Sequence, residues 1–311
     1  MLLTVSVMRS GCVMAEMPAA EHDVDVQLVA GLLADQHPDL VDLRLGHLAH
    51  GWDNESYRLG DDMIVRLPRR QAAAELVVHE QRWLGDLARM VRLPIPAPLR
   101  IGHAGRGFPW SWSVVPWLPG DRWEATPPLD VERAATDLGA FLSELHRPAP
   151  LDAPRNPLRG VPLADRAARF DAALSVLADR INTDRCRALF NRLVTTPPWT
   201  GPPVWIHGDL HPLNLLVADG QLSAVIDWGD VCAGDPATDL SVAWMVLPVD
   251  VHPAFRLAAG IGLAIDDATW ARARGWALAL SVAMLSFSDD DPTIAGIGTR
   301  TLHAVLESAA E

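Results

Sequence analysis

Residues 207–214 of the chain read HGDLHPLN, and residues 226–230 read IDWGD. The segment between these stretches is apolar along both halves, and Asp219-Gly220 near its centre predicts a tight hairpin turn. Because a hairpin returns the chain to its starting point, the polar residues on its two sides are expected to meet at one end. The sequence therefore predicts one site built from both stretches.

Three side chains of these stretches suggest the chemistry of that site. Asp209, Asn214 and Asp227 offer two carboxylates and an amide oxygen, and hard oxygen atoms are the ligands that Mg²⁺ prefers. Transfer of a phosphoryl group from a nucleoside triphosphate needs one carboxylate to accept a hydroxyl proton and further oxygens to hold metal ions on the phosphates. The pattern favours that reaction.

A rival interpretation rests on the alternation of His207, Asp209 and His211, which also suits the ligands of a binuclear metallohydrolase. The remaining histidines form no further cluster of the kind that such a site needs. His207 and His211 also suit a structural role in holding the loop. Phosphoryl transfer is therefore the favoured interpretation.

The composition excludes several other classes. The chain has 311 residues, and its 26 basic residues are all arginines against 39 acidic ones, a net charge of −13. Without lysine there is no Schiff-base lysine and no lysine-dependent phosphate-binding loop. A strongly negative balance argues against nucleic-acid binding and favours a cationic small molecule as the partner.

The cysteines and the hydropathy bear on location. Cys12, Cys186 and Cys232 are scattered, which predicts a reduced, cytoplasmic protein without structural zinc. No apolar run reaches the roughly 18 residues of a membrane span, and the only basic residue of the first 14 follows the apolar stretch, unlike in a signal peptide. We expect residues 1–22 to be a disordered N-terminus.

Hydrophobic periodicity divides the remaining chain into two regions. Short extended runs and two helices fill residues 23–116, whereas residues 117–311 are mainly helical and contain the hairpin. The Pro119-Gly120 pair lies at the connection between them. The expectation is an α+β fold with a sheet-rich N-terminal lobe and a helical C-terminal lobe. Helices are predicted at 24–36, 72–89, 131–145, 163–180, 184–194, 236–247, 267–287 and 292–309.

The two stretches together resemble the aminoglycoside phosphotransferase family, which shares its bilobal fold with protein kinases and choline kinases. The resemblance implies that Asp209 is the catalytic base and that Asn214 and Asp227 hold Mg²⁺. It implies ATP as the donor, with GTP as the alternative, and a hydroxyl group of an aminoglycoside or other antibiotic as the acceptor. A choline-, sugar- or amino-alcohol-like acceptor is the alternative within this class, and no oligomeric state follows from the resemblance.

The likeness extends upstream to nucleotide-binding positions. Gly51 and Asn54 lie in a turn between the first two strands, where kinase-like folds cover the phosphates. Pro116 and Leu118 fall at the connection between the lobes, where such folds bind the base. Pro116 keeps its carbonyl and Leu118 keeps its N–H, so both suit that role.

The position of Arg66 departs from the kinase pattern, which has a lysine there, paired with a glutamate that corresponds to Glu80. A guanidinium can pair with a carboxylate and also bind phosphate oxygens bidentately, so we expect an active enzyme. A nucleotide-binding module without catalysis is the alternative that Arg66 raises. The neighbouring Arg69 and Arg70 are expected to be solvated surface charges.

Carboxylates of the helical region are candidates for binding the acceptor. The resemblance implies that acidic residues there bind the amino groups of cationic substrates. The candidates in this chain are Asp230, Asp266, Asp267, Asp289 and Asp290.

Overall fold

The computed structural model describes residues 19–288 and 291–308. Most of the segment predicted to be disordered, residues 1–18, lies outside the described residues. So do two of the candidate acceptor carboxylates, Asp289 and Asp290.

The N-terminal part is a five-stranded antiparallel sheet flanked by helices, with strand order β1-β2-β3-β5-β4. Its helices are α1 (Val26–Gln36) and α2 (Gln71–Leu87), and its strands are β1 (Leu45–His50), β2 (Asn54–Leu59), β3 (Met63–Pro68), β4 (Arg100–Gly102) and β5 (Trp112–Pro116).

Alternation along β2 and β3 decides which side chains leave the core. Tyr57 and Leu59 of β2, with Val65 and Leu67 of β3, are buried on one face of the sheet. Successive side chains of a strand point to opposite faces, so Arg66 lies on the other face. There its register partner on β2 is Ser56.

The C-terminal part is mainly helical and carries two small sheets. Its strands are β6 (Asp121–Arg122), β7 (Val204–Ile206), β8 (Leu215–Ala218), β9 (Gln221–Val225) and β10 (Cys232–Gly234), paired as β6-β8-β9 and β7-β10. Its helices are α3 (Val131–Leu145), α4 (Ala167–Val176), α5 (Thr183–Leu193), α6 (Ala237–Leu240), α7 (Ala243–Val246), α8 (His252–Ala259), α9 (Asp267–Ser286) and α10 (Pro292–Glu307). Helix α9 packs against α4, α5, α6 and α10 and is buried along most of its length.

Two of the predicted helices are broken up in the structure. The segment predicted as 163–180 is a 3₁₀ turn, Leu163–Arg166, followed by the shorter α4. The segment predicted as 236–247 is two short helices, α6 and α7, separated by Ser241 and Val242. The N–H groups of Val242 and Trp244 donate to the carbonyls of Asp239 and Ser241, three residues back, which is the bonding of a 3₁₀ turn.

Separate apolar clusters support the two parts. The larger one surrounds Leu138, Phe141, Trp228 and Trp276 in the helical part, and the smaller one surrounds Trp112 in the sheet. The fold is therefore α+β, as the sequence predicted. In residues 19–288 and 291–308, no helix combines the length and the apolar character needed to cross a membrane.

Candidate active site

A buried carboxylate of α6 fixes the backbone at the start of the HGDLHPLN stretch. Asp239, fully buried, accepts hydrogen bonds from the N–H groups of His207 (2.8 Å) and Gly208 (2.9 Å), and His146 Nε2 lies 3.2 Å from it. Gly208 has φ +89°, and a Cβ there would lie 2.6 Å from the carbonyl oxygen of Asp230. Only glycine fits this turn, which directs the next residue toward the cleft.

His207 joins the two sequence stretches through its ring. Its Nδ1 accepts from the N–H of Asp209 (3.2 Å), so Nε2 carries the proton and donates to the carbonyl of Ile226 (3.0 Å). The ring lies 4.7 Å from that of Trp228. Because both nitrogens are engaged by backbone, His207 holds the loop and has no lone pair for a metal.

The metallohydrolase alternative needs a cluster of side chains that can hold a metal ion. In the described parts of the chain, no group of three or more His, Cys, Asp or Glu side chains is placed to hold one metal ion.

Asp209 lies between two basic side chains. Arg159 donates from Nη2 to Oδ1 at 2.6 Å, and His211 Nε2 lies 3.5 Å from Oδ2. The other ring nitrogen of His211 accepts from the N–H of Leu213 (3.2 Å). Burial acts to raise the pKa of Asp209, but Arg159 and His211 outweigh it and hold that pKa far below its usual range. Asp209 is therefore ionised at neutral pH.

Asn214 and Asp227 flank the hairpin formed by β8 and β9. The amide nitrogen of Asn214 donates to the carbonyl of Asp209 (2.9 Å), which leaves its amide oxygen for another partner. Asp227 has φ +62°, a conformation that non-glycine residues rarely adopt, and its side chain is 62% exposed. Strain of this kind is common at functional sites, and here it presents an accessible carboxylate beside the hairpin.

Arg66 links the sheet to this site. Its Nη1 lies 3.2 Å and 3.3 Å from the two carboxylate oxygens of Glu80, and its Nη2 lies 3.7 Å from Asp227 Oδ1. Burial acts to lower the pKa of Arg66, but the charges of Glu80 and Asp227 outweigh it and raise that pKa. The guanidinium stays charged between a buried carboxylate of α2 and an exposed one of the helical part.

The turn that contains Gly51 and Asn54 is fastened by two arginines. Gly51 N–H donates to the carbonyl of Asn54 (2.8 Å), Arg69 donates to the carbonyl of Gly51 (3.0 Å), and Arg70 pairs with Asp53 (2.6 Å). The side chains of Arg69 and Arg70 are only 13% and 20% exposed. The prediction of solvated surface charges was wrong, because both guanidiniums reach back to the turn between β1 and β2.

The connection between the two parts begins at the end of β5. Pro116, the last residue of β5, pairs with Met63, the first residue of β3, and the N–H of Trp117 donates to the carbonyl of Asp62 (2.7 Å). Among the described residues, no backbone hydrogen bond uses the N–H of Leu118. The carbonyl of Pro116 and this N–H flank Trp117, whose side chain stacks under Arg58 at 3.9 Å.

The predicted acceptor carboxylates have diverse surroundings. Asp230 accepts from Asn156 Nδ2 on one oxygen (2.7 Å), and its other oxygen lies 3.4 Å from Arg159 Nε. Asp266 caps α9 by accepting from the N–H of Thr269 (2.7 Å). Asp267 pairs with Arg256 at 2.6 Å. Of these carboxylates, Asp230 is the one joined to Asp209 through a shared arginine.

Sequence reasoning missed Arg159 and Asn156, whereas Asp239 was expected to cap a helix or brace a loop and does brace the catalytic loop. Arg159 lies 50 residues before Asp209 in a proline-rich loop, and Asp239 lies 31 residues after Gly208. The one signal in the sequence was the density of arginine in residues 155–169, where four arginines accompany one aspartate in an otherwise acidic chain.

A small antiparallel sheet, joined to a helical part with Asp209, Asn214 and Asp227 around one hairpin, defines a phosphotransferase of the kinase-like fold. The chain belongs to the phosphotransferase enzyme family (APH), whose model matches residues 45–276. It is an enzyme that transfers phosphoryl groups to hydroxyl groups.

Solved structures support the fold. The GDP and kanamycin complex of APH(2")-IIia matches with a TM-score of 0.64 and 20% identity, over 89% of this chain and 97% of that one. Macrolide 2'-phosphotransferase MphH from Brachybacterium faecium matches with a TM-score of 0.59 and 23% identity, over 92% and 99%. The streptomycin-ATP-APH(2")-IIa ternary complex matches with a TM-score of 0.59 and 16% identity, over 89% and 95%. A search of curated proteins gave no significant match.

Proposed function

We propose that this chain transfers the γ-phosphoryl group of ATP, with Mg²⁺, to a hydroxyl group of a small molecule. Residues 23–116 would form the nucleotide-binding lobe, and residues 117–311 would form the lobe that carries the base and the acceptor. The observation that carries the proposal is the approach of Arg66 to Asp227 at 3.7 Å, which joins the sheet to the hairpin that bears Asp209.

Asp209 is the proposed catalytic base. Its carboxylate is ionised, and Arg159 and His211 hold it in place. A carboxylate of such low basicity orients the acceptor hydroxyl by accepting its hydrogen bond, and takes the proton once the bond to phosphorus has begun to form. This fits the loose transition state of phosphoryl transfer, in which positioning matters more than early deprotonation.

The nucleotide is proposed to lie between the sheet and the hairpin. Arg66, held by Glu80, has guanidinium hydrogens for phosphate oxygens. The turn with Gly51 and Asn54 would cover the phosphates, while the carbonyl of Pro116 and the N–H of Leu118 would bind the base. The neighbouring structures contain GDP, ADP or ATP, which supports a nucleotide here and leaves GTP as the alternative donor.

Mg²⁺ fits the remaining oxygens. The amide oxygen of Asn214 and the exposed carboxylate of Asp227 are hard donors on either side of one hairpin. A bound Mg²⁺ supplies positive charge to the phosphate oxygens. Asn214 and Asp227 would hold the ion through these oxygens.

The acceptor is proposed to be an antibiotic of the aminoglycoside or macrolide type, because the structural neighbours act on or bind such molecules. A choline-, sugar- or amino-alcohol-like metabolite is the second candidate. A cationic acceptor is favoured by the net charge of −13, which attracts cations at long range. Asp230, Asp266 and Asp267 remain the proposed carboxylates for its amino groups, and the scattered cysteines support a cytoplasmic location.

The proposal is tested with purified protein and ATP labelled at the γ-phosphate. Kanamycin, a macrolide, choline and an amino-sugar are screened as acceptors, with the Asp209→Asn variant as the matched control. With the wild type, we expect the labelled phosphoryl group to appear in one acceptor. With Asp209→Asn, we expect transfer to that acceptor to be at least about 1000-fold slower. Mg-ATP binding with equal, background-level transfer by both proteins would instead support the inactive nucleotide-binding module.

A further inference from the structure

The guanidinium of Arg159 spans the two sequence stretches of the active site. Its Nη2 donates to Asp209 at 2.6 Å, and its Nε lies 3.4 Å from Asp230. The Arg159 side chain is 18% exposed, and the two carboxylates are 32% and 30% exposed. The contact to Asp209 is therefore a short, largely shielded, charge-assisted hydrogen bond, which is stronger than an exposed ion pair.

The backbone after Arg159 is fastened to the strand that follows the IDWGD stretch. Gly160 has φ +64°, and a Cβ on it would lie 2.8 Å from the Cα of Gly234 on β10. The N–H of Gly160 donates to the hydroxyl of Thr238 (3.1 Å), and its carbonyl accepts from the N–H of Asp235 (2.9 Å). This close approach fixes the Cα of Arg159 relative to the catalytic loop.

Asn156 orders the side of the loop before Arg159. Its Oδ1 accepts from the N–H groups of Leu158 (2.8 Å) and Arg159 (3.2 Å), which closes a tight turn. Its Nδ2 donates to the second oxygen of Asp230. Arg159 therefore approaches Asp209 from a loop that is held at both ends, and few alternative rotamers can make both of its contacts.

We propose that Arg159 is a positioning residue for phosphoryl transfer, which fixes the carboxylate of Asp209 and joins it to Asp230. The inference rests on the proposed function. With Oδ1 occupied by Arg159, the oxygen that faces the acceptor hydroxyl is Oδ2, on the side of His211. The rotation of the carboxylate about its Cβ–Cγ bond is restricted before the acceptor arrives. Such preorganisation lowers the activation barrier, because a carboxylate that lies about 1 Å from its productive position can slow the reaction about 100-fold.

The same contacts determine what Asp230 can do. One of its oxygens accepts from Asn156, and the other lies beside the Arg159 guanidinium that Asp230 shares with Asp209. Asp230 therefore supports the base through Arg159, in addition to its proposed role toward an amino group of the acceptor.

Steady-state kinetics of the full chain test the proposal, with Mg-ATP and the acceptor found in the screen. Arg159→Ala is expected to lower kcat about 30–100-fold with the KM for ATP within about twofold of the wild type. Arg159→Lys keeps the charge but lacks the fork, so a smaller loss of about 5–10-fold is expected. Guanidinium chloride in the millimolar range should restore part of the kcat of Arg159→Ala, and none of that of Asp209→Asn.

Arg155→Ala is the matched control, because Arg155 is an exposed arginine of the same loop. Its kcat should equal that of the wild type within about twofold. A kcat of Arg159→Ala within twofold of the wild type would overturn the inference. So would a loss that guanidinium fails to restore, which would show a purely structural role.

A double-mutant cycle separates this inference from the proposed function. The melting temperatures of Arg159→Ala, Asp209→Ala and the double variant are compared with the wild type. The double variant is expected to lose about 2–6 °C less than the sum of the single losses. Additive losses would overturn the inference even if no acceptor is found. Equal transfer by wild type and Asp209→Asn would overturn the proposed function alone.

Discussion

Two arginines of the active site each span a pair of carboxylates, and they do so differently. Arg66, from the sheet, lies 3.2 Å from Glu80 and 3.7 Å from Asp227. Arg159, from the helical part, lies 2.6 Å from Asp209 and 3.4 Å from Asp230. Asp227 is 62% exposed and Asp209 is 32% exposed.

The difference shows how one side-chain type can serve two tasks. A guanidinium has five N–H donors in a fixed fork. Arg66 makes long contacts, so its donors can turn to the phosphates when a nucleotide enters between the two parts. Arg159 makes a short contact from an anchored loop, so it holds what it touches. We call Arg66 with Glu80 and Asp227 the binding centre, and Arg159 with Asp209 and Asp230 the positioning centre.

Of the changes to the two centres, removal of the catalytic base Asp209 should have the largest effect on turnover. Asp209→Asn keeps the shape of the side chain but loses the charge that pairs with Arg159 and accepts the proton. Turnover is expected to fall about 1000-fold or more, while nucleotide affinity stays within about threefold. Single-turnover transfer and calorimetric titration with Mg-ATP measure the two quantities. A loss confined to nucleotide affinity would show that Asp209 belongs to the binding centre.

Asp239 tests the support beneath the positioning centre. In Asp239→Ala the buried N–H groups of His207 and Gly208 lose their acceptor, at an expected cost of about 3 kcal/mol in the free energy of unfolding. Denaturant unfolding measures this cost, with exposed Asp250→Ala as the control. Equal stability of the two variants would contradict the assignment of Asp239 as the brace of the catalytic loop.

Arg66 tests the binding centre. Arg66→Ala is expected to weaken Mg-ATP binding about 10–100-fold, because it removes the donors to the phosphates and leaves Glu80 buried without its partner. Arg66→Lys, which restores the residue usual in the kinase fold, should retain binding within about tenfold. If Arg66→Ala binds Mg-ATP as the wild type does, another residue holds the phosphates.

Asp266 gives the smallest expected effect and lies in neither centre. Its hydrogen bonds from Thr269 lower the pKa of its carboxyl. A carboxyl whose pKa is lower in the folded state than in the unfolded chain stabilises the protein at pH values above its unfolded-state pKa. This stability is lost as the pH falls through the folded-state pKa of the carboxyl.

Loss of the helix cap in Asp266→Ala should cost about 1 kcal/mol at pH 7, whereas Asp266→Ser keeps the cap. The cost should be smaller near pH 3, where the carboxylate of the wild type becomes protonated. Thermal unfolding at the two pH values measures this. A raised KM for a cationic acceptor in Asp266→Ser, with unchanged stability, would assign Asp266 to the acceptor instead.

Much of the fold could be predicted from local sequence. The periodicity of residues 131–145 and 24–36 matched helices α3 and α1 closely, since apolar spacing is a local signal, although α1 begins two residues later, after its cap Asp25. The Asp219-Gly220 turn formed the predicted hairpin. The segments at 163–180 and 236–247 were predicted as single helices because apolar spacing does not distinguish α-helical from 3₁₀ backbone bonding.

The sequence by itself determined which chemistry is available: two carboxylates and an amide around a hairpin, and a chain in which every permanent positive side chain is an arginine. These follow from residue type and short spacing. Only the tertiary structure decided how the arginines are used. Arg159 meets Asp209 across 50 residues, and His146 meets Asp239 across 93. Contacts over such separations depend on how helices and strands pack, and pairs that close only on folding leave no period in the sequence.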